Sequence, residues 1–354
     1  MSTAAAVHAS AGFADWLRQR RLSLAVACSK PGKLLLIGTG PDGRLSIFER
    51  NFPLCRALWA SSQTLWLASG IHVWRLENVL DEPTADGFDR CFVPRAGFTT
   101  GELDVADLAA DAAGRPVFAS PRFDCVATLH RRLNFTPIWR PNPQNPWDRL
   151  DCRHLTGLAV EGTRLRCATA WGGSDEPMGW WAGRKSGGVL LDAETGAPLA
   201  TGLALPSAPR LQGDRVWLLE SGAGRLGHVD FATGQFTPTA FCPGFATALE
   251  LVDGWAVAGV STPPTDDLLY GLPLHDELAR RQVPARCGLQ LIELAENGGV
   301  EWLRLDGLAT EIGGVGVVRD ARRPKALGFF TDEIAREIRF EDAGAVRTVA
   351  LPQR

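Results

Sequence analysis

The chain has 354 residues, enough to bury a large core, with 37 Lys+Arg against 40 Asp+Glu and a formal charge of −3. That balance supplies no basic field of the kind that nucleic acid or an anionic membrane attracts, so neither is an expected partner. No apolar run approaches the ~20 residues that span a bilayer, and in the Ala-rich N-terminus the arginines follow the apolar part, the wrong order for a secretory signal.

In chain order, residues 13–21 read as a helix, so 1–21 is expected to be an N-terminal arm and 22–354 one domain. A short apolar run ending in a small residue then recurs at 33–39, 64–69, 115–120, 164–170, 215–221, 255–261 and 325–331. Second runs follow, as at 44–49, 188–192, 227–230 and 287–294, and several pass into turns such as Glu194-Thr195-Gly196 and Ala232-Thr233-Gly234. Four short strands per unit, repeated around a ring, predict an all-β chain folded as a single β-propeller. Seven first runs give seven blades, near 22–53, 54–100, 101–150, 151–205, 206–244, 245–308 and 309–352, with six as the alternative count. Blade one is a strand short, so the ring is expected to close by mixing N- and C-terminal strands. Residues 275–282 read as a short helix within an insertion, and Trp66, Trp217 and Trp255 as core.

The strand order fixes which loops share a face. In an antiparallel blade, the loop after the second strand and the crossover to the next blade emerge at the same end. The long insertions 171–187 and 262–286 follow second strands, and the crossovers carry the densest polar clusters: Thr99 to Asp104, Asp151 to His154, Ser207 to Arg210, Gly244 to Thr247, and Thr310-Glu311. All are predicted to converge on one mouth of the channel, beneath two lids, where loops on a rigid scaffold usually carry function.

His154 is the first candidate catalytic residue. As a general base it needs a carboxylate partner, and Asp104, Asp107 and Asp151 are the nearest by loop position. The structural alternative is a histidine that hydrogen-bonds neighbouring backbone. Asp104 and Asp107 lie three apart at a strand start, where alternation sends them to opposite sides. Arg153, Arg210 and Arg184, with Lys185, suit a carboxylate or phosphate, or else salt bridges between blades. Trp180 and Trp181 in the Gly-rich insertion, Thr247 and Glu311 complete the expected binding set. Cys152 or Cys125 as a nucleophile would need activation by His154. The eight cysteines show no C-x-x-C spacing and predict free thiols in a cytoplasmic protein, with no metal and no cofactor. Ser221-Gly222-Ala223-Gly224 and Gly38-Thr39-Gly40 lack a following helix and read as turns.

Several motifs together resemble a bacterial family of conserved-hypothetical β-propellers, a domain of unknown function, over roughly residues 13–325. The resemblance is carried by Gly32-Lys33-Leu34, Asp42-Gly43-Arg44-Leu45, Thr100-Gly101-Glu102-Leu103-Asp104, Cys152-Arg153-His154-Leu155-Thr156-Gly157, Gly179-Trp180, Ser186-Gly187-Gly188-Val189, Ser221-Gly222-Ala223-Gly224, Pro243-Gly244-Phe245 and Gly271-Leu272-Pro273-Leu274. It implies a divergent member. Where the family usually carries a His-Asp pair this chain has Ala106-Asp107, and a further family histidine is replaced around Leu205-Pro206-Ser207. A family arginine is Thr247, and a Tyr-Asp pair is Gly313-Gly314. Of three family histidines only His154 remains, which argues against a catalytic metal. The expected function is a small-molecule or peptide-tailoring enzyme using cofactor-independent acid–base chemistry (isomerase, lyase, cyclase or hydrolase). The alternative is a non-catalytic ligand- or protein-binding scaffold. Nothing in the residues sets an oligomeric state.

Overall fold

A computed structural model describes residues 6–263, 270–296 and 298–352. Its strands form a propeller of six blades, each with a four-stranded antiparallel core, the lower of the two counts that the repeat allows. Blade one joins the C-terminal strand Glu311–Arg319, as its inner strand, to Leu22–Lys30, Lys33–Thr39 and Leu45–Asn51. This is the expected closure of the ring by strands from both ends. Blade two runs Cys55–Ala60, Thr64–Ser69, His72–Asn78 and Arg90–Thr99 from the channel outward. Blade three is Asp107–Ala110, Pro116–Ser120, Cys125–Thr128 and Thr136–Trp139, and blade four Leu155–Glu161, Arg164–Ala170, Gly188–Asp192 and Pro198–Leu203. Blade five is Pro206–Gln212, Arg215–Glu220, Arg225–Asp230 and Phe236–Phe241, and blade six Phe245–Val252, Trp255–Ser261, Gly288–Glu293 and Val300–Asp306.

The seventh apolar run does not found a blade. Its first two residues join Pro324 in the strand Pro324–Ala326, which lies parallel to the outer strand of blade two, pairing Pro324 with Arg90 and Ala326 with Phe92. An outer strand left bare is a template for unwanted pairing, and this short strand covers it. The hairpin Glu337–Asp342 and Ala345–Ala350 follows as a separate two-stranded sheet.

Both faces of every blade are apolar because alternate side chains of its strands point to opposite neighbours. Six apolar clusters accordingly fill the six interfaces between adjacent blades. Trp66, Trp217 and Trp255 are buried there, as expected. The N-terminal segment is part of the ring rather than an arm. Ala6–Ala9 adds an outer strand to blade six, and the helix Phe13–Arg20 buries Phe13, Trp16 and Leu17 between blades six and one. Trp16 meets Trp255 edge-on at 5.7 Å.

The crossovers share a backbone device. Leu54, Asp104, His154 and Leu205, each at or just before the start of an inner strand, have φ of 52°, 58°, 57° and 49°. Left-handed backbone is costly for residues with a side chain and persists where the surrounding structure fixes it. Here it turns each crossover sharply down into the channel wall, which leaves the polar residues of the crossover at the mouth.

Candidate functional site

At that mouth the inner-strand starts of all six blades enclose a cavity of about 160 Å³. Its wall includes Arg56, Asp104, His154, Trp171, Thr247 and Glu311, so four of the residues singled out from sequence meet in one place.

His154 is the most tightly positioned. Its Nδ1 lies 2.6 Å from Asp151 Oδ1, and the same oxygen accepts the Trp180 indole N–H at 3.1 Å. The imidazole stacks on Trp171 with centroids 4.0 Å apart and planes 23° from parallel. Backbone bonds from the first insertion clamp the crossover from above: Trp171 N to His154 O, Gly172 N to Arg153 O and Met178 N to Asp151 O. From below, Asp124 Oδ2 accepts the backbone N–H groups of Cys152 and Arg153 at 2.6 and 3.0 Å. Nδ1 is therefore occupied, while Nε2 makes no hydrogen bond among the described residues. A ring oriented through one nitrogen by a carboxylate, in the wall of a cavity, is the arrangement a general base or acid needs. The partner is Asp151, one of the three carboxylates weighed from sequence.

Burial raises the Asp124 carboxyl above its usual value, even though two backbone N–H groups favour its ionised form. Its Oδ1 is buried without a hydrogen-bond partner among the described residues. The Trp171 Nε1, in the cavity wall, is likewise buried without an acceptor.

Two ion pairs line the rest of the mouth. Arg56 donates to Asp104, and Lys30 Nζ is 3.2 Å from Glu311. The Thr247 hydroxyl donates to the Ile312 carbonyl at 3.0 Å. Arg56 was not singled out from sequence. The signal available was its position, second in an inner strand like Thr156 and Ser207, but an arginine beside a cysteine in an apolar run does not advertise itself. Ala106, Ser207, Thr247 and Gly313, positions at which the chain departs from the residues usual in the resembling family, all line this cavity.

Several residues singled out from sequence lie outside this cavity wall. Asp107 and Arg210 do not face the mouth cavity. They form a buried bidentate pair inside the channel, both contacts at 2.9 Å, with Asp107 also accepting the Leu158 N–H at 3.1 Å. Burial disfavours the Arg210 cation, but the Asp107 carboxylate outweighs this and holds its pKa above the ordinary value. Burial also raises Glu250, on the inner strand of blade six, against the opposing pull of Arg210. Arg153 is spent on the first insertion, its Nε donating to Asp175 at 2.7 Å while Asn142 donates to the other oxygen. Arg184 lies over the Trp181 ring at 4.9 Å and donates to the Trp181 carbonyl, outside the cavity wall. Cys152 is buried with its thiol toward Asn145 and the Arg149 carbonyl rather than His154, and Cys125 is buried in the blade-two/three interface.

The two insertions form one apolar lid. Trp171 and Trp180 from the first pack with Leu272, Leu274 and Leu278 of the second and with Phe245, and Trp181 lies half-buried against them. The helix within the second insertion is Pro273–Arg281, two residues earlier in its start than the spacing predicts because Pro273 takes the first helical position. Residues 264–269 of this insertion lie outside the described residues.

A propeller whose six crossovers build one polar mouth defines the class of protein. Residues 11–327 match the model of a domain of unknown function (DUF4915), and the chain belongs to that family. No curated protein matches it. A solved chain of the nidogen/laminin complex is similar in fold, with a TM-score of 0.51 and 12% identity over 85% of this chain and 99% of that one. At that identity the likeness concerns the fold alone. No helix among the described residues is long and apolar enough to cross a membrane.

Proposed function

We propose that the mouth cavity takes a small polar molecule, or the polar end of a peptide, and that His154 transfers a proton to or from it without a cofactor. The observation that carries this reading is the Asp151–His154 pair at 2.6 Å, with His154 in the cavity wall. Asp151 holds the ring in place through Nδ1. Arg56, two blades round, is the cation best placed to hold a carboxylate or carbonyl, while Nε2 removes a proton from the atom beside it. That assignment replaces Arg153, Arg210 and Arg184, and suits an isomerase or lyase. A cavity of about 160 Å³ suits a ligand or substituent smaller than the drug-sized molecules that occupy ~300 Å³ and more. Eight buried thiols fit a reducing compartment, so the cytoplasm is the proposed location.

A second reading is a non-catalytic binding mouth. It is favoured by the ion pairs Arg56–Asp104 and Lys30–Glu311, in which the mouth charges satisfy one another. The two readings separate in one experiment. Small carboxylates, keto acids and dipeptides are screened by thermal shift, and each binder is followed by proton NMR in deuterated water. Acid–base catalysis requires exchange or conversion of the ligand that disappears in His154→Asn while binding persists. Binding without any exchange supports the scaffold, and binding that ignores both His154→Asn and Arg56→Met places the site elsewhere.

A further inference from the structure

The apolar lid leaves one side of the mouth open. The loop after the second strand is a long insertion in blades four and six, and the two insertions pack with Leu205 and Phe245, at the crossovers into blades five and six. In blades two and three the same loop is a tight turn. Gly70-Ile71 joins Thr64–Ser69 to His72–Asn78, and residues 121–124 join Pro116–Ser120 to Cys125–Thr128. Beside these turns lies a second cavity, of about 220 Å³.

It is contiguous with the mouth. Arg56, Asp104 and Val105 line both spaces, so the Arg56–Asp104 ion pair forms the partition between them. Past that pair the wall turns apolar, with Leu54, Ala68 and Ile71. These surfaces are open to a ligand. Leu54 is 55% and Ile71 44% exposed, and a Cβ placed on Gly70 would have only the Pro53 carbonyl oxygen within 4 Å. Single exposed apolar side chains are ordinary on a surface, but two that face one concavity beside a charged anchor are not. Leu54 also keeps its side chain there on left-handed backbone, φ 52°, in the crossover position that Asp104 and His154 hold in the next two blades. At the outer rim Arg122 lies 3.6 Å from Glu102, so the charges around the groove balance and offer no net pull to a charged tail.

We propose that this groove receives the apolar side chain of the molecule whose polar end occupies the mouth. The substrate class is then a carboxylic acid with an alkyl substituent. Arg56 holds the carboxylate at the partition, the polar substituent lies toward His154, and the alkyl chain runs outward over Leu54 and Ile71. This assignment rests on the reading of Arg56 as the carboxylate anchor.

The test titrates the full chain with acetate, butyrate and hexanoate at fixed pH and ionic strength, followed by calorimetry and ligand-observed NMR. Burial of methylenes should tighten binding roughly two- to fourfold for each one added, so hexanoate is expected to bind at least about tenfold more tightly than acetate. Combining Leu54→Asn, which suits left-handed backbone, with Ile71→Ser should bring hexanoate down to the level of acetate and leave acetate unchanged. Arg56→Met should weaken all three acids, and circular dichroism confirms that each variant is folded. Equal affinity for acetate and hexanoate, or a chain-length dependence that survives the Leu54/Ile71 double variant, overturns the groove while Arg56 stands as the anchor. Absence of saturable binding by any of the three removes the anchor, and the groove assignment with it. Proton transfer is not read in this experiment, so the chemistry assigned to His154 stands or falls separately.

Discussion

Asp107 of blade three and Arg210 of blade five meet as a bidentate pair across Leu158 of blade four, bridging three consecutive inner strands. Both side chains are largely removed from water, so the pair's value lies in being complete. Breaking a buried pair by removing one partner typically costs about 3–5 kcal/mol, because the other charge is left uncompensated, whereas replacing both by apolar groups is often nearly neutral. Arg210→Met is therefore expected to destabilise by roughly that amount in urea titrations. Adding Asp107→Asn, which removes the stranded charge and keeps an acceptor for the Leu158 N–H, should recover most of the loss. A single variant within about 1 kcal/mol of the parent would show that water already compensates these charges.

The mouth behaves differently. His154 is held by a hydrogen bond and ring stacking at the surface of the ring of blades, with its backbone left-handed at φ 57°. Asn tolerates that conformation better than Ala does. His154→Asn is expected to keep the melting temperature within a few degrees while removing any ligand-dependent proton exchange. A variant that chiefly unfolds would make His154 a structural residue and end the proposed mechanism.

Much of this was legible in the residues because a propeller repeats. Six of the seven expected blade boundaries fall where the blades do, and the topological rule placed His154, Asp104, Thr247 and Glu311 at one mouth. Family was legible too, from motifs spread along the chain. The seventh blade failed because residues 325–331 look like a blade's second strand locally, while their partner is an edge of blade two more than two hundred residues earlier. Alternation pointed Asp104 and Asp107 to different sides but could not say which one reached the mouth. Arg153 and Arg210 were indistinguishable from ligand-binding arginines, since their partners Asp175 and Asp107 are found only by folding.

His228 offers a pH test of stability. It packs on Trp217 at 4.9 Å, its Nδ1 is buried without a partner, and burial, aided by the Arg215 cation, lowers its pKa below the ordinary value. The folded state thus binds this proton less readily than the unfolded state. Its contribution to stability is present above the unfolded pKa, about 6.5, and is lost as pH falls through the lower folded value. Scanning calorimetry from pH 7.5 to pH 5 (roughly the window that linkage sets) should show a decline that is shallower in His228→Asn. An identical slope in both proteins would remove His228 from the account.

Asp124 carries the opposite sign. Its pKa is raised by burial, so the fold prefers the protonated form, and stability drops as pH rises from the unfolded value through the raised one. Asp124→Asn keeps an oxygen to accept from the Cys152 and Arg153 N–H groups and removes the buried charge. It is expected to match or exceed the parent in melting temperature at pH 7, whereas Asp124→Ala strands both donors and should cost about 1–3 kcal/mol. Equal losses in the two variants would mean that the charge itself holds the crossover.

The eight cysteines give the most direct check on the closed packing of the blades. All are buried thiols. Burial pushes Cys91 up to about 11 and Cys125, Cys167, Cys242 and Cys287 up to about 12, and raises Cys28, Cys55 and Cys152 as well. The thiolate is the reactive species, so at pH 8 each group is both inaccessible and almost wholly protonated. Alkylation of native protein should proceed only as fast as blades open, while denaturant should release eight thiols at once. Mass spectrometry of partly labelled protein identifies which sites open first. Cys91 and Cys152 are expected to lead, because Cys91 packs with Leu80, Val93 and Leu327 under the C-terminal segment and Cys152 sits in a crossover beside Asn145, neither within a blade–blade interface. Rapid labelling of Cys125 or Cys167 in folded protein would instead show that the interface between blades two and three, or that between blades four and five, is open in solution.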